Sequence, residues 1–230
     1  MTGISRAILA IAGGLFASLA ITLPLASAGA AEDPVALVED ITNPADGIDF
    51  MDVLPKGKVI KLGAKDTLIL GYLKSCQREV ITGGTVTVGA EQSIIAGGKV
   101  ERRKVECDGG HMRLTADQSG KSGVMVFRGA PGKLPPAQLT LYGTSPVISL
   151  TSGSGTVVVE RLDKPGEKRE VTVGGGGAIR SAFFDFARHD MALAAGGLYR
   201  ASSGGRELVF KVAPDAQPGV TPLVGRAIRL

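Results

Sequence analysis

DTLILGYLKSCQREVITGGTVTV, residues 66–88, decides the fold class. Leu68, Ile69, Leu70, Tyr72 and Leu73 are apolar on both faces of an extended chain, as in a strand covered on both sides. After Cys76 the pattern changes to alternation, first in REVIT and then in TVTV, with the glycine pair 83–84 between them. Runs of this length and period form strands, not helices. The same reading extends outward to KVIKLG before the stretch, and to QSIIAGG, KVERRKVEC, HMRLTA and GVMVFRG after it. Glycine pairs at 83–84, 97–98 and 109–110 each precede a strand run, which predicts an antiparallel meander turning at each pair.

KVERRKVEC, residues 99–107, is polar, and its apolar parity shifts between Val100 and the pair Val105 and Cys107. That predicts an exposed edge strand with a bulge. Further out, GAPGKLPPA at 129–137 reads as a linker or long loop. Beyond it QLTLYG, SPVISL, TVVVERLD, KREVTV, LYRAS, ELVFKV and LVGRAIRL read as a second set of strands. Seven short strands in that space fit an immunoglobulin-like sandwich by pattern. One helix is expected between Ala182 and Ala194, where Phe183, Ala187, Met191 and Ala194 share a helical face before Gly196 and Gly197. Residues 33–43 fit either a short helix capped by Asp33 or an extended segment. The fold class is therefore mainly β: an N-terminal module over 31–128 and a sandwich-like module over 138–230.

At the start of the chain, Arg6 precedes an apolar run from Ala7 to Leu25 that ends in Pro24 and the small residues 26–30. This is the pattern of a secretory signal peptide over 1–30, cleaved after Ala28 or Ala30. Past it no apolar run reaches the roughly 18 residues of a transmembrane helix. The expected location is periplasmic or secreted. In an oxidising compartment the pair Cys76 and Cys107 is expected to form a disulfide.

Several runs together, DTLILGYLKSCQREVITGGTVTVGAEQS, KVERRKVECDGG, VFRGAP, FFDFA, GGLYRA, VFKV and PLVGRAIRL, resemble exported proteins of Gram-negative bacteria that have no assigned function. The resemblance covers nearly all of the chain after the signal segment, and it implies export and paired cysteines but no activity. A more distant similarity, of strand–glycine–strand style, is to FecR-like periplasmic domains.

Composition limits the chemistry. With two histidines and two cysteines at unsuitable spacing, no structural zinc site is expected. Asp46, Asp49 and Asp52 lack the order of a calcium loop and read as a solvated acidic loop. Glycines 174–177 are followed by no G-K-[ST], so they read as a turn, not a phosphate cradle. No cofactor is expected. A hydrolase triad would have to draw on Ser152, Ser154, Ser202 or Ser203, with His111 or His189 and Asp108, Asp185 or Asp190. Those serines stand in glycine-rich turns, where small polar residues serve the backbone. Tryptophan is absent, and Tyr72, Tyr142 and Tyr199 lack polar company for sugar binding.

The formal charge of +4 and the cations Lys99, Arg102, Arg103 and Lys104 raise nucleic acid. Glu101 and Glu106 interleave those cations, and no aromatic stands among them to stack a base, so nucleic acid is not expected. The same four cations are the candidate interaction surface, for an envelope protein or an acidic polymer. The expected function is a non-catalytic exported binding or structural module. The alternative is a hydrolase acting on an envelope polymer.

Overall fold

In the computed structural model, residues 33–44, 47–109, 134–174 and 183–230 are described. The expected signal segment, His111, Asp46, Gly175 to Gly177 and the runs HMRLTA and GVMVFRG lie outside them. The described chain is built from three sheets. The first contains β1 (Pro34–Ile41), β2 (Val53–Pro55), β3 (Val59–Tyr72), β4 (Gln77–Thr87), β5 (Ile94–Ala96) and β6 (Lys99–Lys104). Its order is β2-β1-β3-β4-β5, with β6 also on β4. Residues 33–43 thus take the extended option.

The second half contributes β7 (Leu139–Gly143), β8 (Val147–Ser149), β9 (Gly155–Arg161), β10 (Lys168–Val173), β11 (Phe183–Asp185), β12 (Leu198–Ser203), β13 (Arg206–Gln217) and β14 (Ala227–Arg229). They form a five-stranded sheet, β10-β9-β12-β13-β7, and a three-stranded sheet, β11-β8-β14. The pairings are antiparallel except β7 with β13 and β8 with β14, which are parallel. The fold is mainly β with mixed pairing, which corrects the expectation of purely antiparallel modules.

The glycine pairs are the second correction. β4 runs straight through Gly83 and Gly84 instead of turning there. Along its far edge β4 changes partner at that point, from β6 (Lys99 opposite Thr82) to β5 (Ala96 opposite Thr85). Gly97 and Gly98 sit between those two partners. A Cβ on Gly84, where φ is +82°, would lie 2.5 Å from the Ala96 oxygen, and one on Gly98 would lie 2.1 Å from the Gly83 oxygen. The two pairs form matched kinks, backbone against backbone, which side chains would prevent. On β3 the ladder to β4 also skips, between Leu62 and Thr67, and Asp66 there accepts the Gly63 N–H at 2.9 Å. One line of irregularity thus crosses three neighbouring strands. Ile60, Leu62, Leu68, Leu70 and Ile81 are buried on one face, in a cluster formed by this sheet and the loops that join its strands. For a single sheet to dry one face with its own residues, it has to curl over that face.

The expected helix between Ala182 and Ala194 is the third correction. Phe183–Asp185 is a strand paired with β8, and only a 3-10 turn follows, at Ala187–His189. Asp185 accepts the Ala187 N–H at 3.0 Å, and Asp190 stands at φ +52°, a left-handed conformation that stops a helix. The buried apolar side chains are Phe186 and Leu193, not the four that share the expected helical face.

A third apolar cluster joins Leu37, Met51 and Leu73 of the first sheet and its loops to Val147, Leu223, Val224 and Ala227. Glu39 holds this junction. One of its carboxylate oxygens accepts the Arg78 Nε–H at 2.6 Å and the other the Val224 N–H at 2.9 Å. Gly71 on β3 lies beneath them, where a Cβ would come within 2.6 Å of Glu39 Oε1 and 2.8 Å of Val224 Cβ. The residue must be glycine for the ion pair to cross it. Among the described residues no helix is long and apolar enough to cross a membrane.

Candidate functional site

β6 carries the candidate cations, and it pairs regularly with β4 from Thr82 opposite Lys99 to Gln77 opposite Lys104. The expected bulge is absent because the parity shift falls where the strand has ended. Val100 turns toward the first-sheet core, while Val105 and Cys107 pack into the junction cluster. The expected disulfide is present between Cys76 and Cys107, with Cα atoms 5.6 Å apart. Cys76 stands at φ +52° in the turn between β3 and β4, and its carbonyl accepts the Val105 N–H at 3.0 Å. The bridge therefore staples the end of β6 to that turn.

The four cations have different environments. Arg102 faces inward and donates from Nε to Glu79 at 2.6 Å and from Nη2 to the Ser93 carbonyl at 2.8 Å. Glu79 is fully buried and also accepts the Ser93 N–H. The Ser93 hydroxyl meets the Tyr72 hydroxyl at 2.8 Å, and burial pushes the Tyr72 phenol up to about 12. Arg102 is thus the lid of a buried polar network, and its charge is matched by Glu79. Sequence gave no sign of Glu79, which reads as one more surface acid in REVIT. Lys104 donates to the Ser75 carbonyl. Lys99 and Arg103 are exposed on the opposite face of the strand, on either side of exposed Glu101.

Past Lys104 the strand leads to a cleft of about 310 Å³ between the first sheet and the second half. Arg103, Lys104 and Glu106 line one wall, and Tyr142, Asp215, Gln217 and Thr221 are among those that line the other. The Tyr142 phenol is raised by burial and then by the carboxylates of Asp108, Glu106 and Asp215. The lining thus mixes cations and carboxylates with the apolar surface of Val105, Tyr142 and Pro222.

Among the described residues, which exclude His111, no hydrogen bond or ion pair joins a candidate serine, histidine and aspartate of a triad. His189 is exposed and stacks flat on Phe184, with ring centroids 4.3 Å apart. Asp185 is buried and paired with buried Arg226, Oδ1 to Nη1 at 2.8 Å. Arg226 also donates to the carbonyls of Ser145 and Thr221. Ser203 donates from its hydroxyl to the Thr156 carbonyl at 2.8 Å, and Ser152 and Ser154 are exposed. Asp49 and Asp52 cap their own loop, where Asp52 accepts the Asp49 N–H and Asp49 the Phe50 N–H. Among the described residues no three His, Cys, Asp or Glu side chains lie together as metal ligands would. Tyr199 is buried, and its hydroxyl accepts the Ala194 N–H at 2.8 Å. Tyr142 lines the groove past Lys104, whereas Tyr72 and Tyr199 are buried. No family model, curated protein or solved structure matches the chain.

Proposed function

We propose that the protein is a non-catalytic, exported module of the bacterial envelope that acts by binding another macromolecule. One observation carries the reading: each buried acid among the described residues, Glu39, Glu79 and Asp185, is committed to an arginine partner. A general acid or base needs a group free to take up and release a proton beside the substrate. These carboxylates are spent on joining strands and loops, and β6 carries the exposed cations Lys99, Arg103 and Lys104 close together. Export is supported by the signal-like pattern of residues 1–30 and by the disulfide. The second half is read as an immunoglobulin-like sandwich, supported by two sheets that share one apolar cluster. Its two parallel pairings depart from the purely antiparallel form.

The test is cross-linking followed by pull-down of the exported protein from envelope extract, alongside the double variant His111→Ala/His189→Ala. The expected result is a retained envelope component, captured equally by both forms. Capture lost in a folded double variant would replace this reading with the hydrolase.

A further inference from the structure

We propose that the open edge of β6 accepts an extended, acidic segment of a partner protein as an added strand. This rests on the binding-module reading and names its partner class. The Val105 N–H points toward the β4 side, at the Cys76 carbonyl. N–H groups in an antiparallel ladder alternate in direction, so those of Lys99, Glu101 and Arg103 face β4. Those of Val100, Arg102 and Lys104 therefore face away from it. Among the described residues β6 pairs with β4 alone. It is six residues long and unbulged, as edge strand β10 also is, whereas edge strands β2, β11 and β14 have three residues each, and β2 ends on Pro55. A visiting strand needs such a row of donors and acceptors.

Charge selects the visitor. With Arg102 matched by Glu79 and Lys104 turned to the Ser75 carbonyl, the other face of the strand presents Lys99 and Arg103 against Glu101 alone. An acidic strand sets carboxylates opposite those cations, and opposite charges across strands stabilise a pair. A second copy would bring the same positive excess, setting Lys99 against Arg103 wherever the two Glu101 residues meet. The groove past Lys104 supplies room for the residue that continues beyond the added strand.

The experiment uses the exported, disulfide-bonded protein and a fluorescein-labelled nine-residue peptide that alternates glutamate with valine and threonine. A counterpart with lysine for glutamate is the control, and affinity is read by fluorescence anisotropy. The acidic peptide should bind at least about tenfold tighter than the lysine peptide, with an affinity that falls as salt rises. Lys104→Pro removes an outward N–H and leaves the β4 ladder intact, so it should weaken binding about tenfold. The double reversal Lys99→Glu/Arg103→Glu should do the same, and it carries the test if the proline variant does not fold. Reversal of Lys168 and Arg169 on edge strand β10 should change nothing.

Three results would overturn the proposal: no saturable binding of the acidic peptide, full binding to folded Lys104→Pro, or concentration-dependent self-association that the peptide does not displace. Dextran sulfate binding to the wild type and to Lys104→Pro alike, without peptide binding, would instead make the occupant an acidic polymer. If β6 variants still capture their envelope component, the edge falls and the binding-module reading stands. If the wild type captures nothing, that reading itself falls.

Discussion

The first sheet and the second half bury an apolar core by different means. In β7 to β14 two sheets cover one another, and alternation along each strand suffices: in β9, Val157 and Val159 point inward with half-buried Val158 between them. In β1 to β6 one sheet has to dry its own face. It does so with irregularities: kinks at Gly83 to Gly84 and Gly97 to Gly98, a skipped stretch in β3, and a buried acid on each face, Glu79 inside and Glu39 at the junction. The first sheet therefore depends on a few exact positions, and the second half depends on the sum of many ordinary ones.

The largest break in that comparison should come from the disulfide, which ties the end of β6 to the β3–β4 turn. Replacing Cys76 and Cys107 with serine should lower stability by about 3 to 4 kcal/mol, read from urea unfolding. A loss below about 1 kcal/mol would mean that pairing of β6 with β4 holds that end unaided.

Next come the kinks. Gly84→Ala forces a left-handed alanine, at about 1 to 2 kcal/mol, and drives its Cβ into the backbone at Ala96 and Gly98, so a total near 3 kcal/mol is expected. Gly205 in the second half has φ +81° and nothing within 4 Å of a Cβ, so Gly205→Ala should show only the conformational part. Equal losses at the two positions, measured by thermal and urea unfolding, would remove the case for matched kinks.

This difference also explains what the sequence disclosed. The alternation in TVTV, TVVV and KREVTV reports a local property, so strand class was legible from it. The role of Gly83 to Gly84 was not, because a pair of glycines looks alike in a hairpin and in a kink. Only the backbone of residues 96–98 across the sheet tells them apart. The helix expected near Ala187 failed for a similar reason. The spacing of Phe183, Ala187, Met191 and Ala194 is local, but Asp185 is fixed by Arg226, 41 positions on. The candidate surface was legible as a run of cations. That Arg102 belongs to Glu79, 23 positions before it, was not.

Arg102 and Arg103 are adjacent in sequence and opposite in role, which gives a finer test. Arg102→Gln leaves Glu79 buried without its cation and should lower stability by about 2 to 3 kcal/mol, less than a fully buried pair because a third of the Arg102 side chain is exposed. Arg103→Gln should change it by less than about 0.5 kcal/mol. Adding Glu79→Gln to Arg102→Gln should recover part of the loss, because the Ser93 N–H keeps an acceptor. Similar losses for the two single variants would mean that Glu79 does not depend on Arg102.

The smallest effect belongs to the second half and depends on pH. Asp163, in the turn between β9 and β10, accepts Arg161 Nε and Nη2 at 2.9 and 3.1 Å and the Leu198 N–H at 3.0 Å. Its carboxyl is lowered to about 2, chiefly by the Arg161 hydrogen bonds; burial opposes them less strongly, and the Leu198 amide adds a still smaller lowering. The unfolded chain, with an ordinary carboxyl near 3.8, binds that proton first as pH falls. The stabilisation is therefore fully present above about pH 4 and is lost as pH drops through about 2. Because the side chain is exposed to solvent, screening keeps the gain small. Asp163→Asn should remove this share of the acid sensitivity while leaving the neutral-pH fold intact, since an amide oxygen can still accept the Leu198 N–H. Carboxyl-carbon NMR titration of the wild type reads the lowered value directly. A midpoint near 4 would show that Arg161 and Asp163 do not hold each other in solution, and that the β9–β10 turn rests on strand pairing alone.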